Sequence, residues 1–302
     1  MMSPIFRRLA ASVYLVLAPT VVPLAADAAG PTDPVRIYAR TFTPGEPLRV
    51  EVRPSDAIDG LETLEGRFLD ESFPLYTDGN GRWTGWTMIP LGTPPREQVV
   101  RFEGATISGP WTHAVTLRIE DKSFPSESLE VESRYVEPPE AIRERIAAER
   151  EELRVIYLRR TAGSNEAGPF LRPVEGPPTS VFGTERILNG KPRDPHAGWD
   201  LDAEVGDAVF AAADGEVVLA KNLHFSGGTV ILDHGFGLFT LYAHLSEIDV
   251  VVGSRAIRGE RLGAAGATGR VTGPHLHWGA KIGDRPFDPA ALLDPSLFGE
   301  RQ

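Results

Sequence analysis

From Pro34 to about Val136, apolar and polar residues alternate in short runs: Val35, Ile37 and Ala39; Leu48, Val50 and Val52; Val115, Leu117 and Ile119. Period-two alternation places one set of side chains on one face of a strand, so these runs predict half-buried β-strands. Turn signals such as Asp78-Gly79-Asn80-Gly81 and Pro94-Pro95 separate them at the spacing of a small antiparallel sandwich, and an immunoglobulin-like β domain is expected over 34–136. His113 reads as an ordinary strand residue within it. After Pro138-Pro139 the pattern changes to a segment dense in Arg and Glu, with Ile142, Ile146, Leu153 and Ile156 recurring at helical spacing. Charged pairs such as Arg145 with Glu149 and Glu151 with Arg154 suit a solvated face, so a connector helix is expected over 138–160. Beyond Thr161-Ala162-Gly163-Ser164, apolar runs bounded by Gly turns (Gly215 to Ala220, Thr229 to Leu232, Leu238 to Ala243) predict a compact antiparallel sheet or barrel to about Leu293. The expected fold class is therefore mostly β, two bodies joined by one helix.

The length of 302 residues fits two globular parts. A formal net charge of -11 argues against nucleic acid as a partner, which would require a basic face. The chain has no cysteine, which removes disulfides, thiolate metal sites and thiol nucleophiles, so any metal must be held by His, Asp or Glu. Arg7 and Arg8 precede an apolar run from Leu9 to Ala26, and Ala26-Asp27-Ala28 offers small residues for cleavage. Residues 1–28 thus read as a signal peptide, with export to the periplasm or exterior and no stable membrane insertion after cleavage. A retained anchor is the rival reading, against which stand Pro19, Pro23 and the small-residue exit.

The chemistry gathers in the last third. In Gly273-Pro274-His275-Leu276-His277-Trp278 two histidines stand two residues apart, and on a strand both imidazoles project from one face. In His196-Ala197-Gly198-Trp199-Asp200 a fully extended chain would separate the two ligand-type residues by about 13 Å. A bend at Ala197-Gly198 leading into a strand at Trp199 is needed to bring them together. Tyr242-Ala243-His244-Leu245 adds a histidine at a strand end. Two His and one carboxylate would leave a fourth tetrahedral position for water, the arrangement of catalytic zinc. His234 reads as a turn-satisfying residue and His224 as part of an exposed loop.

The segments SVFGTE (Ser180 to Glu185), HAGWD (His196 to Asp200), DGEVV (Asp214 to Val218), YAHL (Tyr242 to Leu245) and ATGRVTGPHLHW (Ala267 to Trp278) together resemble the lysostaphin-type (LytM-type) zinc metallopeptidases over about 169–293. The resemblance implies an endopeptidase that cuts peptidoglycan peptides, with one Zn2+ per chain held by His196, Asp200 and His277. It also implies that His244 and His275 are unliganded catalytic imidazoles, their division of labour left open. The sequence specifies no protein partner. Relatives often carry a basic residue soon after the Phe-Gly pair, for which Arg186 is the nearest candidate, and some carry a tyrosine before the first zinc histidine. None lies between Phe182 and His196, where Asn189 and Arg193 are the polar substitutes. The alternatives are a non-catalytic peptidoglycan-binding or amidase-activating adaptor, against which the full ligand set argues, and a zinc peptidase acting on proteins.

Overall fold

The computed structural model describes residues 26–27, 33–53, 60–77, 81–107, 109–161 and 168–299. The expected signal peptide lies outside them except for Ala26–Asp27, which pairs with Tyr38 and Ala39. Among the described residues no helix is long and apolar enough to cross a membrane.

The chain is mostly β, as the alternation predicts. In the first half, neighbouring strands run antiparallel in the order Val35–Ala39, Pro47–Val52, Trp83–Met88, Glu71–Thr77, Thr63–Phe68, Glu97–Thr106, Gly109–Arg118. The Glu71–Thr77 strand changes partner midway: Pro74 opposes Glu65, whereas Leu75 opposes Gly85. Proline cannot donate to a ladder, so a change of partner beside it sacrifices little. The result is one nearly closed sheet around a core of Ile37, Leu48, Val50, Phe68, Phe102 and Leu117. This strand order does not by itself establish an immunoglobulin-like relationship. His113 sits in Gly109–Arg118, stacked on Trp111.

In the second half the main sheet runs Pro178–Ser180, Gly198–Leu201, Leu276–Ile282, Leu238–Leu245, Gly227–Asp233, Gly215–Leu223, Arg255–Ala256, with Arg285–Phe287 also paired to Leu276–Ile282. The helix Arg143–Tyr157, preceded by the 3-10 turn Glu140–Ile142, lays Leu153, Ile156 and Tyr157 against Val218, Leu219, Ile231 and Phe239. Its solvated face carries Arg145–Glu149 and Glu151–Arg154 at 2.7 and 2.6 Å. Ser126–Leu129, in the segment leaving the first half, instead pairs in parallel with Glu185–Leu188.

The two halves share a core. Pro47–Val52 and Trp83–Met88 are buried at every position, whereas the alternation of Leu48, Val50 and Val52 predicts a half-buried strand. The inner set, including Leu48, Val50 and Val52, fills the first core, while Trp86 and Met88 on the opposite face join Phe170 and Leu297 of the second. Arg49, directly across from Trp86, is buried with them and donates to Glu51 at 2.5 Å. At the rim Arg40 reaches both Glu46 and Asp288, at 2.5 and 2.6 Å. Asp288 N–H donates to the Gly45 carbonyl at 2.8 Å, and a Cβ at Gly45 would stand 2.7 Å from the Phe182 ring, so this approach requires glycine.

Beneath the second sheet, His234 spans 2.7 Å contacts to the Asp214 carbonyl and the Thr240 hydroxyl, and Thr240 in turn lies 3.1 Å from the Tyr242 hydroxyl. Burial pushes the His234 pKa down to about 4. It is thus structural, as its sequence position suggests.

Trp86→Ala should destabilise the whole chain by about 3–5 kcal/mol, read from urea unfolding followed by far-ultraviolet circular dichroism. Stability should also decline as pH falls from about 6.5 towards 4, because there the unfolded chain binds a proton that folded His234 refuses. His234→Gln should make that decline shallower in denaturation measured across the same pH range.

Candidate metal centre and active site

The site is built on a strand register. In the antiparallel pair Gly198–Leu201 with Leu276–Ile282, Asp200 stands directly opposite His277, and on the other side Ala243 opposes His277. Side chains directly opposite on one face lie close enough to touch. Asp200 Oδ1 accordingly lies 2.8 Å from His277 Nδ1. His196 precedes the strand, and the bend at Ala197-Gly198 swings its Nε2 to 3.1 Å from the same oxygen and 3.0 Å from His277 Nδ1. Gly198 is obligatory here: an added Cβ would meet the Trp278 carbonyl at 2.5 Å and the His277 ring at 2.9 Å.

These three residues offer ligand atoms that all lie within 4.8 Å of one another. Metal–nitrogen and metal–oxygen bonds of about 2.0–2.1 Å in tetrahedral geometry put neighbouring ligand atoms about 3.3 Å apart. The observed spacings of 2.8, 3.0 and 3.1 Å fit a single ion, and the donor set of two imidazoles and a carboxylate suits a divalent metal of the zinc type.

The ligand orientations are fixed from behind. His196 Nδ1 lies 3.1 Å from the Val181 carbonyl and 3.2 Å from Ser180 Oγ, so a proton on Nδ1 leaves Nε2 free as a lone-pair donor. Asp200 Oδ2 accepts from Arg186 Nη2 at 2.6 Å, keeping Oδ1 for the cluster. Arg186 Nε donates to Glu127 Oε1 at 2.7 Å, and Ser180 Oγ donates to the same oxygen at 3.1 Å. One carboxylate on the Ser126–Leu129 strand therefore braces both groups that hold His196 and Asp200. Burial opposes ionisation of Asp200, but its close contacts with His196 and His277 hold its carboxyl well below the usual carboxylate range. Burial likewise lowers the His277 pKa, keeping its imidazole neutral and able to ligate.

His244 and His275 flank the cluster. Their ring centroids are 4.9 Å apart, and His244 lies 5.9 Å from His277. His244 Nδ1 is 2.8 Å from the Thr268 carbonyl and His275 Nδ1 is 2.9 Å from the Gly273 carbonyl, so in both rings Nδ1 carries the proton and Nε2 is free of a hydrogen bond, that of His275 standing 3.6 Å from Asp200 Oδ1. His244 adopts a left-handed φ of 66° at the end of its strand, an unusual conformation for a side-chain-bearing residue that turns the ring towards the cluster. Burial, followed by the neighbouring His277 and His275, pushes its pKa down to about 3.

The five residues singled out in the sequence thus lie together. Of the polar substitutes, Asn189 has both ends of its amide tied to Val131 at 2.9 Å, and Arg193 donates to the Val136 carbonyl at 3.1 Å. His224 is half-buried rather than exposed, packed between Phe225 and Tyr135. Glu127 went unremarked in the sequence, because no local motif marks a residue that acts through a strand pairing nearly sixty positions away.

Residues 194–289 match Peptidase family M23. Over 94 residues the chain is 44% identical to the peptidoglycan DD-endopeptidase ShyA of Vibrio cholerae, covering 31% of this chain and 22% of that protein. Over 102 residues it is 40% identical to the DD-carboxypeptidase/endopeptidase Mpg of Neisseria meningitidis, covering 33% and 23%. The matched segment therefore spans less than a quarter of these curated relatives. A crystal structure from Pseudomonas aeruginosa, assigned to peptidase M23, aligns with a TM-score of 0.63 at 30% identity over 84% of this chain and 95% of that one. Similarity on that scale reaches well beyond the catalytic segment, and the chain belongs to peptidase family M23.

Proposed function

We propose that the protein is an exported, zinc-dependent endopeptidase that hydrolyses peptide bonds in peptidoglycan stem peptides or cross-links. The observation that carries this reading is the convergence of His196, Asp200 and His277 beside two imidazoles whose Nε2 atoms are free. The names of the relatives support the substrate class, and the Arg7-Arg8 apolar segment supports export.

His196 Nε2, Asp200 Oδ1 and His277 Nδ1 would hold the ion. When bound, zinc supplies Lewis acidity, polarising the scissile carbonyl and lowering the pKa of a water towards about 7. The chain's own residues handle the proton. His275 Nε2, oriented by its contact with the Gly273 carbonyl, accepts it from the attacking water and returns it to the leaving amine as the C–N bond breaks. His244 is a poor proton acceptor, since burial pushes its pKa down to about 3; its Nε2 instead accepts a hydrogen bond that orients the water. The Glu127–Arg186 pair keeps the Asp200 carboxylate from rotating away from the ion.

Purified mature protein supplied with zinc should release peptide-cleaved fragments from isolated sacculi, and an unchanged fragment pattern by mass spectrometry would sink the enzyme reading. His277→Ala should lose bound zinc, whereas His275→Ala should retain it and lose turnover by about 10²–10⁴-fold. Arg186→Gln should weaken zinc binding by about 10–100-fold in a chelator competition.

A further inference from the structure

The loop Ala267 to Pro274 is fastened to both catalytic imidazoles. Its Thr268 carbonyl receives His244 Nδ1 at 2.8 Å, its Gly273 carbonyl receives His275 Nδ1 at 2.9 Å, and His275 N–H donates to the Gly266 carbonyl at 3.2 Å. Midway along this loop stands Arg270. Its backbone N–H donates to the Phe225 carbonyl at 2.8 Å, and its guanidinium carbon lies 5.3 Å from the centroid of the Phe225 ring. Gly269 allows the approach: it has a φ of +78°, and an added Cβ would stand 2.4 Å from Gly227 N and 2.5 Å from the Phe225 carbonyl. The Phe225 ring is backed by His224 at 4.7 Å, and His224 by Tyr135 at 5.3 Å, so the platform under the guanidinium is itself packed.

Arg270 is half-buried, yet its guanidinium has no hydrogen bond or ion pair with any described residue. A guanidinium carries five donors and cannot shed its charge, so losing part of its hydration without gaining an acceptor is unfavourable. Its surroundings add to the cost. Burial lowers the Arg270 pKa, and the cations Arg186 and Arg193 lower it further, with no carboxylate offsetting them. Arg186 is already engaged by Glu127 and Asp200, and Arg193 donates to the Val136 carbonyl.

We propose that Arg270, on its Phe225 platform and reinforced by the charge of Arg193, receives a free carboxylate of the substrate next to the scissile amide. A planar fork stacked on an aromatic ring is pre-organised for bidentate contact with a carboxylate. The site then selects peptides whose leaving-amine residue keeps a free α-carboxyl group over bonds flanked only by neutral amides. This assignment rests on the peptidase reading given above and narrows it to a chemical class of bond.

The test uses two stem-peptide substrates differing only in that carboxylate, free in one and amidated in the other, with the full mature protein loaded with zinc. Wild type should favour the free acid by about 10- to 100-fold in kcat/KM, the range of a charge-assisted bidentate contact. Arg270→Gln should lose that preference by acting on the free acid alone, with zinc content and thermal midpoint unchanged, and Arg270→Lys should restore part of it. Equal rates on both peptides in wild type, or an Arg270→Gln effect equal on both, overturns the proposal. Calorimetric binding of the same two peptides to zinc-loaded His275→Ala protein separates the two readings. A free-acid preference that vanishes on adding Arg270→Gln supports carboxylate recognition even if wild type cleaves neither peptide, an outcome that would defeat only the peptidase reading. Equal binding of both peptides there also overturns the proposal.

Discussion

The catalytic half depends on one register: Asp200 opposite His277 in a pair of antiparallel strands. Strand side chains alternate with a period of two, so a slip by one residue would send His277 to the opposite face and leave Asp200 facing Leu276 or Trp278. The same strand carries the register on to Ala243 in its other neighbour, which positions His244 one residue further along. Three of the five site residues are thus set by three adjacent strands, His275 stands just before one of them in a bridge to Gly266, and His196 is placed by the bend that Gly198 permits. Trp278 and Tyr242, both fully buried and directly opposed, pack beneath and lock the register with side chains too large to slide.

Around that register the protein arranges acceptors and charges so that each ligand atom points one way. Carbonyl groups hold the outer nitrogens of His196, His244 and His275, and Arg186 holds the outer oxygen of Asp200. Each outer contact consumes the atom that would otherwise compete for the metal or the substrate. The ring nitrogens that remain are lone pairs, and burial keeps them so by disfavouring protonation of His244 and His277.

Much of this was legible in the chain. The two-residue spacing of His275 and His277 identifies a shared strand face, and the need for a bend between His196 and Asp200 follows from chain geometry alone. The charged pairs and aliphatic stripe of Arg143–Tyr157 likewise predict its docking. What escaped is non-local. Pro47–Val52 reads as half-buried because alternation reports the polarity of each face, not whether a second body covers it; Arg49 and Glu51 look solvated yet are paired and buried. Asn189 looks like a site residue by position, but a backbone partner arriving from residue 131 claims its amide. Glu127 is one of many exposed-looking glutamates until a parallel strand pairing sets it beside Arg186.

That pairing has a consequence for where the catalytic unit ends. Glu127 lies outside the segment that matches the family, yet its contacts reach two ligands of the candidate metal through Arg186 and Ser180. Coupling of this kind is reciprocal in free energy: if docking of the strand tightens the grip on an ion, the ion tightens docking of the strand by the same amount. A force, a partner or a cut that peels Ser126–Leu129 away would therefore be felt as a change in metal occupancy, and loss of the ion as a loosening of the first half. Drawn by energetics rather than by sequence similarity, the boundary of the peptidase runs through the first half of the chain.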